Sequence, residues 1–153
     1  MNRQVSRRLH EEHTATLALW NRFEQAIAAR TWPPAAGDLE IENLLRGCAA
    51  ALAEELSHHF EFEESELFPR LADGGEGDIA DLLAEEHVAI RAAAQAFSKA
   101  LQAGNWQSLR TAGLELSERL AAHVQKEEMS LLPAIENLLD EETDARLALA
   151  YAS

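Results

Sequence analysis

Residues 57–71 read S-H-H-F-E-F-E-E-S-E-L-F-P-R-L, and within them His59 and Glu63 stand four apart. On a helix, residues at that spacing sit one above the other on the same face. The device returns 64 positions later as H-V-Q-K-E-E-M-S-L-L-P, residues 123–133, with His123, Glu127 and Pro133. Both copies fit H-x-x-x-E-E-x-x-L-[FL]-P. Each supplies an imidazole and a carboxylate on one face, which is half of a metal site presented twice.

The repeat extends outward from this stretch. A shift of 74 places Glu12-His13 on Glu86-His87, Phe23 on Phe97 and Trp32 on Trp106. The chain therefore reads as two helical hairpins. Each carries E-H on its first helix and H-x-x-x-E-E on its second.

Apolar spacing sets the helices. Leu9, Trp20, Phe23 and Ile27 mark a first helix over about 5–30. Pro33, Pro34 and Gly37 break it, and Asp38 is an N-cap for a second helix over about 39–71. Pro69 is expected to kink or fray its last turn. Gly74, Gly75 and Gly77 form the next break. Asp78 is expected to cap a third helix, to about 103, which Gly104 and Asn105 end. The fourth, about 106–139, carries Leu109, Gly113, Leu116, Leu120, His123, Glu127 and Leu131 in steps of four and three. Residues 140–153 allow a short fifth helix on Leu147, Leu149 and Tyr151. The expected fold is all-α: one domain over residues 1–153, an up-down-up-down four-helix bundle.

Composition excludes several partners. Thirteen Lys and Arg face 27 Asp and Glu, for a formal charge of −14. Such a chain repels phosphate backbones and anionic bilayers, so neither nucleic acid nor a membrane is expected. Cys48 is the only cysteine, so no internal disulfide can form, which suits a reducing cytoplasm. No signal peptide or membrane span is legible in the sequence.

The matched polar residues on the inward faces are His13, His59, Glu63, His87, His123 and Glu127. Burying four imidazoles and two carboxylates without partners is costly, and a cation removes that cost. Imidazole with carboxylate and no thiolate suits iron, manganese or zinc, not copper(I) or an iron–sulfur cluster. Six ligands are too many for one four-coordinate zinc. They serve two ions that share two carboxylates and keep positions open for water, an oxo bridge or a diatomic. The E-x-x-H of ferritin-like sites occurs once, at Glu55 and His58, and is not repeated.

His13, His59-x-x-x-Glu63, His87 and His123-x-x-x-Glu127, with L-F-P and L-L-P trailing, closely resemble the hemerythrin-like HHE cation-binding domain. The resemblance covers about residues 9–139. It implies a four-helix bundle around a non-haem diiron centre with an oxo or hydroxo bridge, iron being expected ahead of manganese or zinc. It implies that His13 and His59 bind one iron, that His87 and His123 bind the other, and that Glu63 and Glu127 bridge them. The expected function is binding of oxygen, nitric oxide or peroxide. Reduction of peroxide or nitric oxide, or storage and delivery of iron, are the alternatives.

One position departs from the family's oxygen carriers. These have H-x-x-x-H on the third helix, whereas here the residue four beyond His87 is Arg91. The pattern resembles the four-histidine members, including the domain of bacterial iron–sulfur-cluster repair proteins. Those also carry an N-terminal cysteine-bearing region, so neither oxygen carriage nor cluster repair carries over intact.

Other residues receive plainer readings. His10 and His58 lack repeat partners and are read as surface residues or supports behind the ligands. Glu12 and Glu86 either orient ligands or form a solvated acidic face. Glu64 and Glu128 point about 100° away from the ligand glutamates and are expected in solvent or helix–helix contacts. Arg91 is read as a surface arginine, Trp32 and Trp106 as packing anchors, and Phe60, Phe62 and Phe68 as core that also dries the site.

Overall fold

The computed structural model describes residues 1–153 and contains helices and no strands. Helix α1 is Gln4–Ala28. Helix α2 begins at Leu39–Glu54, passes through π-helical turns at Glu55–His59 and Glu63–Leu67, and ends in Phe68–Leu71. A further π turn, Ala72–Glu76, leads into α3, Gly77–Ala103. Helix α4 is Trp106–Lys126, continued through a π turn, Glu127–Leu131, into Leu132–Leu138. Helix α5 is Glu141–Ala152. The first four form the bundle, and α5 packs along α1.

Local chemistry explains the boundaries. Asp38 accepts from the Ile41 amide and opens α2, and Asn105 accepts from the Ser108 amide and opens α4. Gly104 ends α3 in the left-handed region, φ 66°. Asp78 does not cap α3. The chain turns at Gly75, φ 90°, and the helix restarts at Gly77, leaving Asp78 inside the first turn. There its charge still faces the positive end of the helix. Pro69 does not fray α2 either. Pro69 and Pro133 each lie just beyond a π turn, a widened turn in which the regular amide ladder is already interrupted, so a residue without an N–H fits.

The N-terminus of α1 has no side-chain cap of its own. The amides of Asn2 and Arg3 donate to Glu136, and those of Gln4 and Val5 to Asp144 of α5. Carboxylates from distant sequence thus satisfy donors that the helix leaves open.

Two apolar clusters fill the interior. One holds Trp20, Phe23, Phe60, Phe97, Leu109 and Leu116. The other holds Val5, Leu9, Leu67, Leu83, Leu131, Ile135 and Tyr151. In sequence, His13 lies between Leu9 of one cluster and Trp20 of the other, and His87 between Leu83 and Ile90. The polar residues therefore form a layer at the waist of the bundle. At the far end the Trp32 indole N–H donates to the Trp106 carbonyl at 2.6 Å, and the two rings meet edge to face.

Gly113 lets α4 approach α1. A Cβ there would sit 2.3 Å from Phe23, whose ring is fully buried beside Trp20 and Phe97. Gly113→Ala gains about 1 kcal/mol of helix propensity, but overpacking a closed core costs about 1–3 kcal/mol. With the ring unable to retreat, the overpacking cost exceeds the propensity gain. Thermal melting of this variant should fall below that of the parent chain; an unchanged or higher midpoint would show that the ring can move.

Candidate metal centre

The bundle brings together all six residues singled out from the sequence, and each is at most 2% exposed. They fall into two groups of possible ligand atoms. His13 and His59 make one, His87 and His123 the other, and both groups include Glu63 and Glu127. Each glutamate divides its oxygens between the pairs. Glu127 Oε1 is 2.9 Å from His13 Nε2, and its Oε2 is 3.1 Å from His123 Nε2. Glu63 Oε2 is 3.1 Å from His59 Nε2, and its Oε1 is 3.1 Å from His87 Nε2.

The donors fit a cation better than they fit one another. Glu63 Oε1 and Glu127 Oε2 are buried without a hydrogen-bond partner, although imidazole nitrogens lie beside them. His87 Nε2 and His123 Nε2 face each other at 3.1 Å. Two nitrogen lone pairs and orphaned carboxylate oxygens converging on one region are what a metal ion satisfies.

Behind the imidazoles runs a ring of carboxylates. Glu12 of α1 meets His59 Nδ1 of α2 at 3.0 Å. Glu64 of α2 meets His87 Nδ1 of α3 at 2.6 Å. Glu86 of α3 meets His123 Nδ1 of α4 at 2.8 Å. Glu128 of α4 meets His13 Nδ1 of α1 at 2.7 Å, closing the circle. A carboxylate on each Nδ1 favours a proton there and leaves Nε2, which faces inward, as the nitrogen available to a metal.

This ring decides several readings. Glu12 and Glu86 orient imidazoles instead of forming a solvated face. Glu64 and Glu128 do so too. A direction 100° from the bundle axis points along the seam with the next helix, where the neighbour's imidazole edge lies. Arg91 is not an idle surface arginine: it clasps both oxygens of Glu64, at 2.5 and 3.2 Å, behind His87. His10 meets Glu128 at 2.5 Å, and His58 stacks on Tyr151. Phe60 stacks flat on His87, with ring centroids 3.7 Å apart, so this core residue packs directly against the site.

Two participants were missed from the sequence. Glu55 Oε1 lies 3.3 Å from His59 Nδ1, and the Tyr151 hydroxyl donates to Glu12. Tyr151 has no repeat partner and comes from α5, so no sequence signal marked it. Glu55 stood in an unrepeated E-x-x-H, and its placement one turn before His59 was the available clue. Tyr151→Phe should weaken metal affinity by up to about tenfold, as loss of a group behind a ligand does. A chelator competition measures this, and an unaltered affinity would make Tyr151 a packing residue only.

Metal-free, the cluster attracts protons. Burial opposes charge on His87, but Glu127, Glu63 and Glu64 outweigh it and raise its pKa to about 9. His13, His59 and His123 shift upward against the same opposition. Burial pushes Glu127 up, yet the four imidazoles hold it well below the usual carboxylate range. Burial raises the Cys48 thiol to about 11, so it is an inert packing group.

Fold and site define a class: helical bundles that hold metal between histidines and glutamates on facing helices. The hemerythrin HHE cation-binding domain matches residues 4–135. The chain belongs to that family, and the histidine and glutamate residues at its waist form a metal-binding site. No curated protein and no solved structure matches the chain.

Proposed function

We propose that the chain is a non-haem diiron protein that binds a small oxidant or diatomic: oxygen, nitric oxide or peroxide. The observation that carries this is the division of each glutamate's oxygens between two histidine pairs. A single ion would need no such division. His13 and His59 would hold one iron, His87 and His123 the other, with Glu63 and Glu127 spanning both. Imidazole and carboxylate together favour iron, with manganese and zinc behind it.

Bound iron would supply open coordination positions for the small ligand. The chain's own part is to fix the imidazoles through their Nδ1 protons and to keep water away. Phe60 and Phe68 pack against His87 to that end. The buried thiol and the single cysteine suit a reducing compartment such as the cytoplasm. No helix is long and apolar enough to cross a membrane.

The deciding experiment joins metal quantitation of natively purified protein to an optical spectrum before and after oxygen, nitric oxide or peroxide. About two irons per chain and a ligand-dependent spectrum support the proposal, whereas zinc alone or a single ion would end it. Steady consumption of peroxide or nitric oxide with a reductant would place the protein among enzymes instead of binders.

A further inference from the structure

The duplicated ligand set suggests two equal metal positions, but the charges behind them differ. Behind His13 and His59 stand three carboxylates: Glu128, Glu12 and Glu55. One guanidinium, Arg8, pairs with Glu12 at 2.7 Å. The remaining partners are uncharged or weakly basic: the His10 imidazole on Glu128, the Tyr151 hydroxyl on Glu12, and the Thr16 hydroxyl, which donates to Glu55 at 3.5 Å. Behind His87 and His123 stand two carboxylates, Glu64 and Glu86, and each is paired with a full cation, Arg91 and Lys126. Of the three carboxylates on the first side only Glu12 is paired with a lysine or arginine, whereas on the second side both are.

We propose that this outer layer makes the two positions unequal: the His13–His59 position takes a divalent cation first and more tightly. The inference rests on the dinuclear reading above. The shared glutamates lie equally close to both pairs, at 2.9–3.1 Å, so they do not set the preference. The imidazoles are alike in burial and in having a carboxylate on Nδ1. What remains is the uncompensated negative charge, including Glu55, whose side chain is 13% exposed and therefore little screened. Arg91 adds to the contrast. It occupies the position four beyond His87, and it cancels the charge of the carboxylate that would otherwise strengthen that imidazole as a ligand.

The test is titration of the metal-free protein with cobalt(II), followed by absorbance and calorimetry at low and moderate salt. Two resolved steps are expected, separated by about tenfold or more in affinity, and the separation should change little with salt because the unmatched charge of Glu55 is largely buried. Glu55→Gln, which keeps shape and removes a charge, should weaken the first step and spare the second. Arg91→Gln, which unmasks Glu64, should tighten the second step and spare the first. Effects on the opposite steps would overturn the assignment. Two ions in one unresolved step would overturn the inequality and leave the dinuclear reading standing. A total of one ion per chain would remove the dinuclear reading and this inference with it.

Discussion

Glu127→Ala should empty the metal centre. Glu127 is fully buried, lies on the imidazoles of both positions, and extends one oxygen toward each pair. Losing a group that merely orients a ligand costs about 10–100-fold in affinity. Losing a carboxylate that reaches both histidine pairs should cost more than about 100-fold, and metal analysis after dialysis reads it directly. Glu63→Ala, which removes the other shared carboxylate, should behave in the same way. His58→Ala is the contrast, because His58 stacks on Tyr151 and has no place in the cluster. If Glu127→Ala retained full metal while His58→Ala lost it, the ligand set would be wrong. Stability should follow the metal, since binding free energy is linked to folding.

Removing the metal should reverse how stability depends on pH. In the metal-free protein His87 has a folded pKa of about 9 against an ordinary value of 6.5. A raised pKa in the folded state means that the folded state holds the proton more tightly. The stabilisation is then complete below 6.5 and disappears as pH climbs to about 9. For the buried His87 alone this is on the order of 3 kcal/mol, and His13, His59 and His123 shift in the same direction. Glu127 has the opposite sign. Its contribution is present above its ordinary 4.5 and fades as pH falls toward its lowered folded value. The metal-free chain should therefore be most stable between about 4.5 and 6.5 and should weaken steadily toward pH 9. Metal requires neutral imidazoles, so its own stabilisation grows across that same interval. Melting curves of chelator-treated and metal-loaded protein at about pH 6 and about pH 9 should diverge as pH rises. A metal-free midpoint that does not move with pH would contradict the assignment of these charges.

The sequence by itself determined the bundle and the six inward polar residues. Repetition did this: His59 and Glu63 are an ordinary pair until His123 and Glu127 repeat them and His13 and His87 join. Helical periodicity is a local property, so it survives in the chain as spacing and can be read without coordinates. The helix start at Asp38 is legible for the same reason, because a cap and its amide lie three residues apart; Asn105, read only as the end of the third helix, also caps the fourth.

Tertiary structure alone decided what stands behind the ligands. Glu64 and Glu128 are as regularly repeated as Glu63 and Glu127. Their role nevertheless depends on which imidazole edge the next helix presents, and spacing within one helix does not encode that. Arg91 meets Glu64 across 27 positions and Tyr151 meets Glu12 across 139. Asp144 caps α1 across a similar span. The π turns at Glu63–Leu67 and Glu127–Leu131, which shift the helical face at the ligands themselves, also carry no composition signal of their own. The stretch at residues 57–71 fixes where metal ligands are. Packing of its neighbours fixes which carboxylate stands on each imidazole and which cation stands behind His87 and His123, because these are contacts between helices.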